Sequence, residues 1–359
     1  MPRIATVATA TPSNIISQEE VKKFAKSLYG ENKLFNRLLP VFDNAIVERR
    51  CLAVDLDWLS RKHSFTESND LYIQVALDLS AQVSTDAAYQ CGLSTEEFDI
   101  VFFISTTGLS TPSIDGRLFN RIALNPHIKR VPIWGLGCAG GAGALARAYD
   151  YLKSYPTHRA LIIAVEFCSL SFQLNELSKT NVISSALFGD GAAACVVLGD
   201  RVPFKDTGRE QPSILGSLST IYPDSEDVMS WQATSDGFKV RLSRDIPSIV
   251  TSLVKGNIEE LLQDLELKLN DLTHLILHPG GTKVLQAYAD GIGTSIEKLA
   301  HSNSVLRDFG NMSSVTVYFV LKRFLENSRQ HSRQHSGEYG LVGALGPGFS
   351  SELVLLQWN

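Results

Sequence analysis

The 359-residue sequence predicts an α/β fold made of two similar halves, and three observations carry that prediction. Short continuous apolar runs recur along the chain, as strands covered on both faces do. Segments with helical spacing alternate with them. The order of these pieces in the second half replays the first. The joint falls near residues 205 to 215, which divides the chain into 1–208 and 209–359.

Ile4 to Ala10 alternates like a short strand and ends at Thr11-Pro12. Ser17-Gln18-Glu19-Glu20 is a capping box, and Val21, Phe24, Ala25 and Leu28 then share one helical face before a stop at Gly30. Residues 31 to 68 are mixed. Their charge sits mostly in Glu48-Arg49-Arg50 and in Trp58 to Lys62, read as a solvated face with an anion contact as the alternative. Asp70 to Cys91 has helical spacing and stops at Gly92, and Ser94-Thr95-Glu96-Glu97 caps a short turn. Ile100 to Ile104 is a buried strand leading into Ser105-Thr106-Thr107. In PIWGLGCAGGAGALARAY (132–149) an apolar run ends at Gly135-Leu136-Gly137, Cys138 follows, and a Gly/Ala-rich helix runs to about Lys153. Ala160 to Val165 is a strand ending at Glu166, a helical segment closes at LFGDG (187–191), and Ala192 to Leu198 is a further strand.

The replay pairs Leu275-Ile276-Leu277, ending at His278, with Ile100 to Ile104. Phe309 to Ser314 turns into an apolar helix through Phe324, as Gly135 to Gly141 does. Leu341-Val342 runs into Gly346-Pro347-Gly348, and Leu353 to Leu356 closes the chain as Ala192 to Leu198 closes the first half. Cys138 and Asn311 are therefore counterparts, each at the start of a central helix. The tandem SRQH of residues 328–335 reads as an exposed, tolerant loop. Its His331 and His335 have metal-ligand spacing, but a polar repeat in a loop lacks the supporting groups that orient ligands, so no metal is expected.

A formal charge of −5 leaves no electrostatic footprint for nucleic acid. No apolar run reaches the ~18 residues that span a bilayer. The N-terminal MPRIATVATATPSN lacks the basic and apolar regions of a secretory signal. Five scattered cysteines without a CxxC pair argue against disulfides or structural zinc, so a cytoplasmic location is expected.

Cys138, His278 in LILHPGG and Asn311 in DFGNMSS stand at corresponding strand or helix ends. Unpaired N–H groups at a helix start favour a thiolate, which predicts a depressed Cys138 pKa; the alternative is a buried small residue at a packing contact. A thiolate, an imidazole and a carboxamide suit thioester carbon–carbon bond formation, in which two donors face a developing enolate oxygen. The same trio suits a papain-like hydrolase, although the doubled α/β pattern and the absence of CGSCW-type surroundings weigh against that.

At these residues the sequence resembles the chalcone synthase-like, or type III, polyketide synthases. The anchors are GCAGG around Cys138, ALFGDGAAA (186–194), HPGG (278–281), GNMSS (310–314) and LGPG (345–348), in the family's order along nearly the whole chain. The resemblance implies a thiolase-like five-layer αβαβα fold, a homodimer with an independent site in each subunit, and a narrow tunnel to Cys138. It also implies acyl-CoA and malonyl-CoA as substrates with no metal or redox cofactor. Cys138 would carry the starter acyl group, His278 would stabilise its thiolate, and His278 with Asn311 would bind the malonyl carbonyl during loss of CO2. Phe188 matches the gatekeeper at the junction of tunnel and cavity; otherwise it is a core aromatic beside a glycine turn. Lys283 and Arg37 fall where the family contacts CoA, or are solvated charges. Pro40 and Asn44 replace two basic tunnel positions of plant relatives.

Further departures bear on substrate. Val240 stands where plant chalcone synthases carry a second gatekeeper phenylalanine, and Thr111 where they present a methionine across the dimer interface. Ala344-Leu345 replaces the first Gly-Phe of the GFGPG loop, which puts Leu345 against the site. Thr106, Cys168 and Ser171 occupy other cavity positions. The smaller side chains imply an enlarged cavity or side tunnel, and with it fatty acyl-CoA starters and alkylpyrone or alkylresorcinol products. The alternatives are a single-round 3-ketoacyl synthase, which usually has HQAN rather than HPGG, a hydroxymethylglutaryl-CoA synthase, and a non-catalytic acyl-CoA-binding scaffold.

Overall fold

The computed structural model describes residues 1–203, 211–234, 237–328 and 335–358. Its strands are β1 (Arg3–Ala10), β2 (Asn14–Ser17), β3 (Arg49–Leu52), β4 (Ile100–Ile104), β5 (Lys129–Ile133), β6 (Arg159–Phe167), β7 (Asp190–Leu198), β8 (Ser213–Ile221), β9 (Met229–Thr234), β10 (Gly237–Leu242), β11 (Leu272–Leu277), β12 (Tyr339–Gly346) and β13 (Ser350–Gln357). Nine of them form one sheet in the order β11-β12-β13-β8-β1-β7-β6-β4-β5. β4 is parallel to β6, and β7 is antiparallel to both β6 and β1. Beyond β1 the pattern repeats: β11 is parallel to β12, and β13 is antiparallel to both β12 and β8. The replay read from the sequence is thus a repeat of strand order and direction.

The expected sheets on either side of the central helices meet edge to edge. Arg3 pairs with Ser213, and the Ile4 and Ile214 amides donate to the carbonyls of Pro212 and Pro2 at 3.0 and 2.8 Å. The predicted boundary at 208/209 lies outside the described residues.

Two helices fill the space the bent sheet encloses. Gly140–Ser154 and Thr316–Ser328 each touch strands of both halves. Close approach requires a glycine: a Cβ on Gly141 would meet the Ser314 carbonyl at 2.3 Å, and the Tyr318 hydroxyl donates to the Gly141 carbonyl at 2.7 Å. The strands between these helices and the outer ones are buried on both faces, which is why they read as unbroken apolar runs. Ile100, Phe102 and Ile104 face the inner core with Leu145 and Val317; Val101 and Phe103 face an outer core with Val83 and Ala87. Helix Phe65–Cys91 covers β1, β6 and β7 from outside, and Ile246–Gln263 covers β8 and β13. Together these make the five-layer arrangement.

Two local expectations need correction. The helix expected from Asp70 begins at Phe65, because Ser64 and Glu67 form a capping box one turn earlier. Glu48 and Arg49 are solvated as expected, but Arg50 is 1% exposed on β3, where its side chain meets a ring of backbone acceptors. All five cysteines are free, and no helix among the described residues is long and apolar enough to cross a membrane.

Candidate active site

The Cys138 turn is built by three pieces of chain. After β5, residues Gly137–Ala139 form a single 3-10 turn that runs into the central helix. Gly137 has φ +49°, and a Cβ there would lie 2.7 Å from Pro347. Gly346, on the same loop, would clash with the Leu136 carbonyl at 2.4 Å. The LGPG segment therefore packs directly onto the Cys138 turn, where Gly346 matters for closeness rather than for φ. From below, the Gly137 amide donates to the Thr106 hydroxyl at 3.2 Å.

His278 follows β11, its amide donating to the Gly343 carbonyl at 2.8 Å. Asn311 is clamped to the other side of the site. Its amide donates to the Leu187 carbonyl and its carbonyl accepts from the Gly189 amide, each at 2.9 Å, so that Phe188 and Asn311 face one another as a short bridge. The Asn311 Oδ1 accepts from the Ser313 amide at 2.8 Å, leaving the carboxamide NH2, 3.3 Å from the Gly280 carbonyl, as the donor end. Arg50 fixes the Phe188 side: its guanidinium donates to the carbonyls of Ser185, Ala186 and Phe188 at 2.8 to 2.9 Å and to the Gln18 side chain.

Burial dominates the electrostatics. It pushes the Cys138 thiol up to about 12, against the side chains of Ser313 and Asn311, which favour the thiolate. The depressed pKa expected from the helix start is therefore wrong for the empty site, because desolvation outweighs the backbone dipoles. Burial also drives the His278 imidazole down to about 3. Both groups rest neutral. His278 is 2% exposed, and neither of its ring nitrogens has a hydrogen-bond partner among the described residues. An unpartnered buried polar atom costs about 1–3 kcal/mol, and functional sites are where such a cost is retained. Behind the cysteine, Glu166 accepts from the amides of Thr106 and Thr107 at 3.0 and 3.1 Å and from the Ser314 hydroxyl at 2.7 Å. Burial still raises its carboxyl to about 7.

Cys138, His278, Asn311, Phe188, Val240 and Leu345 line one cavity of about 1850 Å³, part of it open to solvent. Lys283 lies on its lining, and so do the exposed Lys179 and Arg244. Arg37 does not. It projects from the short helix Lys33–Leu38, where Phe35 faces inward and a residue two positions on points the other way. Cys168 and Ser171 line a second cavity of about 860 Å³, most of it open to solvent, and Phe188 and Val240 border both. Thr106, expected on the cavity wall, lines neither; its hydroxyl is spent beneath the Cys138 turn. Thr111 is exposed and away from both cavities. Sequence reasoning missed Arg50, Glu166 and Ser313. The signals were an acidic residue ending a fully apolar strand and a serine two residues beyond Asn311, which holds a φ of +49°.

A buried thiol, an orphan imidazole and a carboxamide at the ends of matching elements, in a thiolase-type layered fold, define an acyl-transferring condensing enzyme. Comparison with known proteins narrows the class. The family models for "Chalcone and stilbene synthases" match the chain with their N-terminal domain at residues 2–201 and their C-terminal domain at 213–358. A putative chalcone synthase of Bacillus subtilis (strain 168) is 41% identical, covering 100% of this chain and 99% of that protein. A 1,3,6,8-tetrahydroxynaphthalene synthase of Streptomyces peucetius subsp. caesius is 34% identical over 99% of this chain and 93% of its own length. The crystal structure of the corresponding synthase from Streptomyces coelicolor A3(2), a bacterial type III polyketide synthase, superposes with a TM-score of 0.92 at 26% identity and covers 99% of each chain. The chain belongs to the chalcone and stilbene synthase family and is an acyltransferase of the type III polyketide synthase kind.

Proposed function

We propose that this polyketide synthase loads a fatty acyl-CoA starter on Cys138 and extends it with malonyl-CoA to alkylpyrones or alkylresorcinols. The observation that carries the starter class is the second cavity. Its lining is mainly apolar and it borders the catalytic cavity at Phe188 and Val240; its enclosed free space is about 80 Å³, so a long chain would have to widen it on entry. A valine at position 240 leaves room for a chain to pass beside Phe188.

The chemistry divides among the residues as follows. His278, neutral and unpartnered, takes the Cys138 proton as the thiol attacks the starter thioester. Neither ion is stable alone in this buried site, so the two charges form together. The acyl group stays on sulfur and CoA leaves. Malonyl-CoA then places its thioester carbonyl against His278 and the Asn311 NH2, which hold the enolate charge as CO2 departs. The enolate carbon attacks the Cys138 thioester, and the lengthened chain returns to CoA. Phe188 presents an apolar face at the junction and disfavours a solvated carboxylate there. Lys179, Arg244 and Lys283 offer cations to the CoA phosphates at the cavity mouth. No metal or redox cofactor enters these steps.

The nucleophile would come from residues 1–208 and the His–Asn pair from 209–359. A homodimer is supported by the exposed Leu109, Phe119 and Trp134, which are 44, 45 and 55% exposed near the edge strand β5 and Thr111.

The second reading comes from the tetrahydroxynaphthalene synthase relatives, whose likeness favours a small product without a fatty tail. Malonyl-CoA with a ladder of starters, products read by mass spectrometry, separates the two. Pyrone or resorcinol masses that follow the starter's chain length support the fatty acyl reading; turnover of malonyl-CoA alone, with no fatty acyl product, overturns it.

A further inference from the structure

A cluster of metal-ligating side chains lies on the outer turn that leads into β12. His274 comes from β11, while His335 and Glu338 come from the turn before β12. Parallel pairing of β11 with β12, with His274 opposite Gly340, brings the two pieces together. The His274 Nε2, His335 Nδ1 and Glu338 carboxylate oxygens lie within 4.8 Å of one another. Glu338 Oε2 is 2.6 Å from each imidazole nitrogen. The turn is held in place: the Gly337 amide donates to the Trp358 carbonyl at 2.7 Å, the Trp358 amide to the Glu338 carbonyl at 3.0 Å, and the Glu338 amide to the His335 carbonyl at 2.9 Å. Phe324 and Trp358 pack on His274 with ring centroids 4.7 and 5.1 Å away, giving the cluster an apolar floor.

We propose that His274, His335 and Glu338 form a binding site for a divalent transition metal of the zinc class, clipping the turn before β12 to β11. Two imidazoles and one carboxylate are a borderline-soft N2O donor set, which suits Zn2+ and its neighbours and excludes the all-oxygen preference of Ca2+ and Mg2+. Three protein ligands leave the fourth tetrahedral position to water on the solvent side. Metal–ligand distances of about 2.0–2.2 Å require the donor atoms to spread by less than about 1 Å around the ion, which the partly exposed Glu338 and His335 can supply. The sequence pairs His335 with His331, which lies outside the described residues; the partners found for His335 are instead three residues on and across the sheet.

The test is titration of chelator-treated full-length protein with Zn2+ by calorimetry and with Co2+ by absorption. One equivalent bound, tetrahedral cobalt bands without a sulfur charge-transfer band, and affinity reduced about 100-fold or more in both His335→Ala and Glu338→Gln are expected. Glu338→Gln is isosteric, so a folding defect in the alanine variant leaves the test intact. Absence of stoichiometric binding, or binding indifferent to both substitutions, overturns the proposal and leaves the cluster a carboxylate bridging two histidines.

Discussion

Replacing Arg50 by methionine tests whether Phe188 is held by a buried cation. The substitution keeps much of the side-chain volume but removes donors from the carbonyls of Ser185, Ala186 and Phe188 and from Gln18. It also removes the favourable charge facing Asp190, which burial already raises to about 6 and which accepts from the Ala53 and Ser169 amides at 2.7 and 2.9 Å. A hydrogen bond from a charged group is worth about 1.5–3 kcal/mol. The carbonyls of Ser185 and Phe188 lose their donor and add to that cost where water cannot reach them, whereas Ala186 still accepts from the Gln18 side-chain amide at 3.0 Å. Equilibrium urea unfolding, followed by tryptophan fluorescence, should give a loss in that range. Activity measured well below the transition should fall as well, because Phe188 and Asn311 share the bridge that Arg50 supports. The loss should be larger at pH 8 than at pH 5, since the stranded Asp190 is protonated in acid. A variant within about 1 kcal/mol of the parent, with unchanged product distribution, would refute the reasoning.

Other outcomes follow from the same contacts. Asn311→Ala removes one donor from the developing enolate oxygen and should lower malonyl-CoA decarboxylation by ~10²–10³-fold while sparing acylation of Cys138, read by intact-protein mass; the reverse split would exchange the roles. Val240→Phe narrows the passage between the two cavities and should shift the starter profile toward short acyl-CoAs, with acetyl-CoA turnover retained. Burial raises the carboxyls of Glu166 to about 7 and Asp190 to about 6 from ordinary values of 4.5 and 3.8. Between those values the folded protein binds more protons than the unfolded chain, so stability falls as pH rises through the window, by on the order of 3 kcal/mol per group. His278, held neutral by burial, opposes this below its ordinary value of 6.5, so the test is a difference: the loss from pH 5 to pH 8 should shrink in Glu166→Gln, and an unchanged loss would contradict this.

Most of the scaffold was legible because both-face burial leaves its mark on sequence. β4 is an unbroken apolar run and β6, β7 and β11 each contain one, and the order of pieces around them predicts the repeated strand pattern. Cys138, His278 and Asn311 were legible for a related reason: each polar residue stands where an apolar run stops. What sequence could not reach were partners brought from afar. Arg50 reads as one more charge in Glu48-Arg49-Arg50, and only the docking of β3 against the end of helix Lys179–Leu187 turns it inward. The thiol's raised pKa escaped for the same reason, since the dipole of a helix start is local and legible whereas desolvation depends on everything packed around it. The cations lining the cavity divided likewise: Lys283 lies two residues past HPGG, but Lys179 and Arg244 reach the cavity from segments without a signature.

The most direct test of the central claim separates decarboxylation from acyl transfer. Parent protein and the Cys138→Ala and His278→Ala variants would each be incubated with carboxyl-labelled malonyl-CoA and a starter acyl-CoA, with released CO2 and polyketide products followed together. The account predicts that the parent yields both, that Cys138→Ala still releases CO2 but makes no condensed product, and that His278→Ala loses both. Condensed product from Cys138→Ala, or no CO2 from the parent protein, would contradict it.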